Sequence, residues 1–138
     1  MTVGELDSFL REAFPLLDVV PWRVTEVTAA GVVLHHPVTA DHARPGGSVS
    51  GPTMMALADG AAWVATLSRL GPVSLAVTSS LTINFLSRPR LDADLWAEAE
   101  LLRLGRRLSV TDVRIRSDGA LVAQSSVTYA IPARRPAG

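Results

Sequence analysis

Apolar and polar positions change their period several times along this chain, and each change marks an element. Residues 4–17 place Leu6, Phe9, Leu10, Ala13 and Phe14 on one helical face, with Glu5, Asp7, Arg11 and Glu12 elsewhere. That spacing predicts a short amphipathic helix, with Pro15 late enough to end it. From Pro21 the chain is rich in β-branched residues without clean alternation, and residues 22–28 read as a strand. Ala29-Ala30-Gly31 is the turn into a second arm at 32–36. A loop over 37–50 leads to a long apolar helix from Gly51 to about Leu70, stopped by Gly71-Pro72. Four β segments follow, at 73–86, 94–104, 107–116 and 121–131, with Gly105 and Asp118-Gly119 where hairpin turns are needed. The order predicts an α+β fold: one long helix against a curved antiparallel sheet, the last four strands forming a meander. The tail at 133–138 is Pro/Arg/Gly-rich and is expected to fray.

The long helix sets the problem. Ser50 is a good N-cap, and Pro52 fits the first turn because its missing N–H would be unpaired there anyway. Met54, Met55, Leu57, Ala58, Ala61, Ala62, Val64 and Ala65 make almost the whole circumference apolar, which predicts burial on every side. Asp59 is the single charge between 51 and 67. Its neighbours three and four residues away are Ala56, Met55, Ala62 and Trp63, none able to pair with a carboxylate. It must find a distant partner, find water, or hold its proton more tightly. Carboxylates so placed are enriched at functional sites.

Composition narrows the classes. The 138 residues suit one domain with one core, and 48% are hydrophobic, which points to a buried central helix, a large subunit interface, or both. Formal net charge is zero and no basic stripe marks a nucleic-acid surface. The absence of Cys excludes disulfides, thiol catalysis and Cys-based zinc sites. The first residues carry acids and no basic n-region, unlike a signal peptide. The one long apolar run has Asp59 at its middle, which argues against a membrane span. A cytoplasmic protein is expected.

Two stretches carry a resemblance. Gly47, Val49, Gly51 and Asp59 stand as in the motif Asn-x-x-Gly-x-Val-His-Gly-Gly, six residues, Asp. The segment LTINFLSRP at 81–89 is similar to a strand ending in an aromatic, an aliphatic and Arg-Pro. Together they resemble the PaaI-like thioesterases of the hotdog superfamily, over most of residues 20–131. Three positions depart: Arg44 replaces Asn, Ser50 replaces His, and Pro52 replaces the second Gly.

The resemblance implies a hotdog fold, in which the sheet wraps the helix and subunits pair into dimers or dimers of dimers. It implies hydrolysis of an acyl-CoA thioester, coenzyme A being part of the substrate and no cofactor being needed. The Gly51 N–H would stabilise the oxyanion, aided by the helix start. Asp59, about 12 Å further along the axis, would serve the site of the partner subunit as general base or nucleophile. Thr78 or Ser79 would hold the attacking water, Thr78 being the closer match. Arg44 and Ser50 would contact substrate. Arg88, with Arg106 and Arg107 around the Gly105 turn, are candidates for the phosphates. Ser50 in place of His disfavours hydratase chemistry, and Ser48 where a nucleophile elbow needs Gly disfavours Ser50 as nucleophile. His35 and His36 point to opposite faces of a strand, and no metal site is expected. The alternative is a non-catalytic hotdog protein that binds acyl-CoA.

Overall fold

The computed structural model describes residues 1–13, 21–72 and 75–133. Helix α1 spans Val3–Ala13 and buries Leu6 and Leu10, the predicted face. Its expected continuation over 14–17, and the tail beyond 133, lie outside the described residues. Strands β1 (Arg23–Val27) and β2 (Gly31–His36) pair antiparallel, Arg23 opposite His35 and Val27 opposite Val32. A register shift between Val24 and Glu26 accounts for the broken alternation of β1: one extra residue resets the two-residue beat.

A 3-10 turn (Ala40–His42) leads to a small hairpin, β3 (Ala43–Arg44) with β4 (Ser48–Val49). Its bend uses Gly46 and Gly47 at φ +102° and +80°, where side chains are strained. Helix α2 is Gly51–Leu70, capped by Ser50, whose hydroxyl accepts the Thr53 N–H at 3.3 Å. Strands β5 (Val77–Phe85), β6 (Leu95–Leu104), β7 (Leu108–Ser117) and β8 (Ala120–Ala130) follow. The β7–β8 turn places Asp118 and Gly119 at φ +51° and +78°, as a tight hairpin requires.

The six-stranded sheet has the order β1-β2-β6-β7-β8-β5. The expectation of a four-strand meander is therefore corrected. Strands β6, β7 and β8 form a meander, but β5 pairs with β8 at the far edge. Periodicity reports which residues make a strand and is silent about which strand lies beside it. The sheet's inner face, with Leu34, Ala97, Val113, Ile115 and Val127, packs on Leu57, Ala61, Val64, Ala65 and Leu67 of α2. Within this core Thr66 Oγ1 donates to the Ala62 carbonyl at 2.9 Å and meets Ser109 Oγ at 2.8 Å.

The helix is not covered all round, which corrects a second expectation. Pro52, Met55 and Ala56 are exposed and Asp59 is half-buried, a stripe at helical spacing left open by this chain. Strand β5 runs alongside, with Phe85 near the helix start and Thr78 near Asp59. Its outer edge pairs with no strand among the described residues, and Val77 and Phe85 are 60% and 49% exposed.

Candidate active site

The start of α2 is held by backbone bonds. The Val49 N–H donates to the Pro89 carbonyl at 3.0 Å and the Ser50 N–H to the His42 carbonyl at 2.8 Å. These bonds seat the helix start against the chain leaving β5. A Cβ at Gly51 would lie 3.3 Å from Phe85 Cζ, so the bare backbone and the ring share one space. A cavity of about 500 Å³ opens here, lined by Arg44, Gly51, Met54, Phe85 and Arg88 among others. Arg44 and Arg88 form no ion pair with the described residues. The Ser50 hydroxyl is turned into the cap, 2.7 Å from Thr53 Oγ1, rather than into this cavity.

Asp59 opens into a second cavity, of about 410 Å³, walled by Trp22, Ala56, Gly60, Trp63, Ala76, Val77, Thr78 and Tyr129. Its carboxylate has found distant partners. Thr78 Oγ1 donates to Oδ1 at 2.6 Å, and the Tyr129 phenol donates to the same Oδ1 at 2.8 Å. The phenol also reaches the Asp59 carbonyl at 3.1 Å. Thr78 and Tyr129 face each other across the β5–β8 pair. A register shift between Thr78 and Ser80 turns Thr78 inward, although Leu81 and Ile83 keep the odd-numbered beat toward the core. Burial, reinforced by the Asp59 charge, pushes the Tyr129 phenol above the ordinary tyrosine range, so it remains a donor.

On one chain the Gly51 and Asp59 cavities share no lining residue among those described. The other sequence candidates are not all drawn into these two cavities. Ser79 sits at the bulge, exposed, its hydroxyl 3.4 Å from the Thr128 carbonyl. Arg88 belongs with Gly51. Arg106 and Arg107 line a third cavity with Leu70 and Ile131. Leu108, Ala130 and Val77 form one row across three strands, so this pair lies beyond the Asp59 side. His35 pairs with Asp94 at 2.8 Å and stacks on Trp96, whereas His36 is buried edge-on to His42. Among the described residues no group of three or more His, Cys, Asp or Glu could hold a metal ion.

Sequence reasoning passed over two residues. Tyr129 follows Val127 at strand spacing and reads as core. Phe85 carried only the resemblance, not its contact with Gly51. Neither has a local signal, since both roles arise from a pairing distant in sequence.

Comparison with known proteins agrees with this architecture. The sequence matches the thioesterase superfamily over residues 46–124, more than half of the chain. No curated protein matches it. A solved structure from Silicibacter sp. TM1040, described as a candidate thioesterase, is 37% identical; the match covers 96% of this chain and 92% of that one, at TM-score 0.86. A mutant of the phenylacetic acid degradation protein PaaI from Thermus thermophilus is 29% identical over 86% of this chain and 99% of its own, at TM-score 0.75. A hypothetical thioesterase from Streptococcus pneumoniae, solved with coenzyme A, shares the fold at 22% identity and TM-score 0.78, over 91% of this chain and 98% of its own. A capped apolar helix with one carboxylate, wrapped by this sheet, together with these matches, places the chain in the thioesterase superfamily as a PaaI-like protein of the hotdog fold.

Proposed function

We propose that this protein is an acyl-CoA thioesterase whose sites are each built from two subunits. The observation that carries the proposal is the separation of Gly51 from Asp59 on one chain, beside an exposed apolar stripe. Residues 51 and 59 each lie four positions from Met55, about 6 Å along the axis. A two-fold axis near Met55 that sets two α2 helices antiparallel brings Asp59 of one subunit opposite Gly51 of the other. The same pairing covers Met55, Ala56, Val77 and Phe85 and joins the open β5 edges. A homodimer, or a dimer of dimers, is the assembly proposed.

In such a site Asp59 acts as general base. It takes a proton from water as the water oxygen attacks the thioester carbonyl carbon. The Gly51 N–H and the helix start stabilise the oxyanion. Pro52 leaves fewer donors there than a second Gly would. When the tetrahedral intermediate collapses, the C–S bond breaks and the coenzyme A thiolate takes the proton back from Asp59. Two cation pairs flank this composite site from opposite sides: Arg44 and Arg88 with Gly51, Arg106 and Arg107 with Asp59. Either pair suits the phosphates of the substrate, and single Arg→Ala changes read by KM separate them. Coenzyme A enters as part of the substrate. No described helix is long and apolar enough to cross a membrane, and action in the cytoplasm is proposed.

The test is hydrolysis across aromatic, short and long acyl-CoAs, read by thiol release, with Asp59→Asn alongside. The proposal expects a loss of about 10²–10⁴-fold in kcat for Asp59→Asn. An unchanged rate rejects Asp59 as the base. The second reading, a non-catalytic acyl-CoA-binding protein, is favoured by the Ser50 hydroxyl being spent in the cap and by Pro52. Thermal stabilisation by acyl-CoAs without turnover selects it.

A further inference from the structure

We infer that Tyr129 is a positioning residue which, with Thr78, clamps Asp59 through one oxygen and so makes Oδ2 the oxygen that accepts the proton of the attacking water. This rests on the thioesterase reading above and adds to it a residue and an atom.

The Tyr129 hydroxyl lies 2.8 Å from Oδ1 and 3.1 Å from the backbone carbonyl of the same aspartate. The single phenol proton is thus shared between side chain and main chain, the shorter contact going to Oδ1, and the shared contact restrains the first side-chain torsion. Thr78 Oγ1 reaches the same Oδ1 at 2.6 Å. Two donors occupy the lone pairs of that oxygen. Oδ2 accepts no hydrogen bond from the described residues and is left for a ligand. The clamp is stiff because its two donors form a single cross-strand pair, Thr78 opposite Tyr129. The Tyr129 ring is 5% exposed, held between sheet and helix. Of the described residues lining this cavity, only Asp59 and Tyr129 are ionisable, so none of the others competes for the carboxylate's charge.

A donor to a carboxylate stabilises its charged form, and removing one raises the pH at which it takes a proton. Tyr129→Phe, which keeps the ring, should retain the fold and hold KM within about twofold. It should lower kcat by at least about tenfold, the lower end of what one hydrogen bond to a charged group contributes. The acid limb of the kcat/KM profile should move to higher pH. Thr78→Val should move that limb the same way, and Thr78→Ser should restore it. Packing loss alone moves stability and leaves the limb in place.

Tyr129 is also the single tyrosine of the chain, so biosynthetic 3-fluorotyrosine labels that position only. Its ¹⁹F resonance should titrate with the midpoint of the acid limb and should stop titrating in Asp59→Asn. This readout needs no turnover and no change of fold. If Asp59→Asn is inactive while Tyr129→Phe keeps the wild-type acid limb, or the ¹⁹F signal ignores Asp59, the clamp is wrong and the thioesterase reading stands. If Asp59→Asn keeps full activity, Asp59 is not the base and the inference falls while the thioesterase reading stands; if the wild-type protein turns over no acyl-CoA, that reading falls.

Discussion

Gly60→Ala isolates how tightly the Asp59 cavity is built. In a helix interior this change ordinarily gains about 1 kcal/mol, because Ala loses less backbone freedom than Gly. Here a Cβ would lie 2.1 Å from Cζ3 and 2.4 Å from Cη2 of the Trp22 indole. Ordinary carbon contacts start near about 3.5 Å, so the ring must retreat by more than about 1 Å. Overpacking costs about 1–3 kcal/mol, and a retreat of that size belongs at the upper end. Ejecting the indole would forfeit about 4–6 kcal/mol of burial, from about 150–250 Å² at about 25 cal/mol per Å², so the ring shifts instead. The net result is a loss of about 2 kcal/mol. Urea unfolding, followed by far-UV circular dichroism, measures it. Gly4→Ala is the control: it lies in α1 with nothing within 4 Å, and should gain at most about 1 kcal/mol. A Gly60→Ala protein as stable as its parent, or more so, refutes the reasoning. Because Trp22 walls the Asp59 cavity, KM for acyl-CoA should rise in the same variant.

Other changes probe the remaining parts. Gly51→Ala should leave stability within about 1 kcal/mol, since the exposed Phe85 ring can swing aside, but should cut kcat at least tenfold, about 1.4 kcal/mol of lost oxyanion stabilisation, in steady-state kinetics. Met55→Glu puts a charge on an exposed apolar stripe and should yield monomers by light scattering, with hydrolysis lost and the monomer still folded. His36 adds a pH dependence: burial, with His42 nearby, holds its imidazole below the ordinary 6.5. The unfolded chain then binds a proton there that the folded chain refuses. Stability is complete above about 6.5 and falls as pH drops below it, and His36→Gln should flatten that slope in unfolding curves measured from pH 7 to 5.

Much of the fold could be read locally. Ser50, Pro52 and Gly71 bracket α2 in the sequence because caps are local chemistry. Asp118-Gly119 marks a turn because two left-handed residues are needed in a row. The place of β5 was not readable, because neighbour choice in a sheet is made by the whole chain. The open stripe on α2 was hidden for a related reason: Met55 and Ala56 are as apolar as Leu57, and composition does not distinguish a surface met by this chain from one left for another. At the site, Asp59 announced itself as a charge without local partners, but Tyr129, its partner seventy residues away, did not.

The extra residue in β5 has a consequence for reading relatives of this protein. A strand with a strict two-residue rhythm cannot both turn Leu81 and Ile83 toward the helix and present Thr78 to Asp59, because the two demands are out of phase. Ser79 absorbs the mismatch. The number of residues between the acid's hydroxyl partner and the hydrophobic run therefore carries information that residue type does not. Two chains that agree letter for letter on either side of this point, but differ by one residue within it, would aim different side chains at the carboxylate.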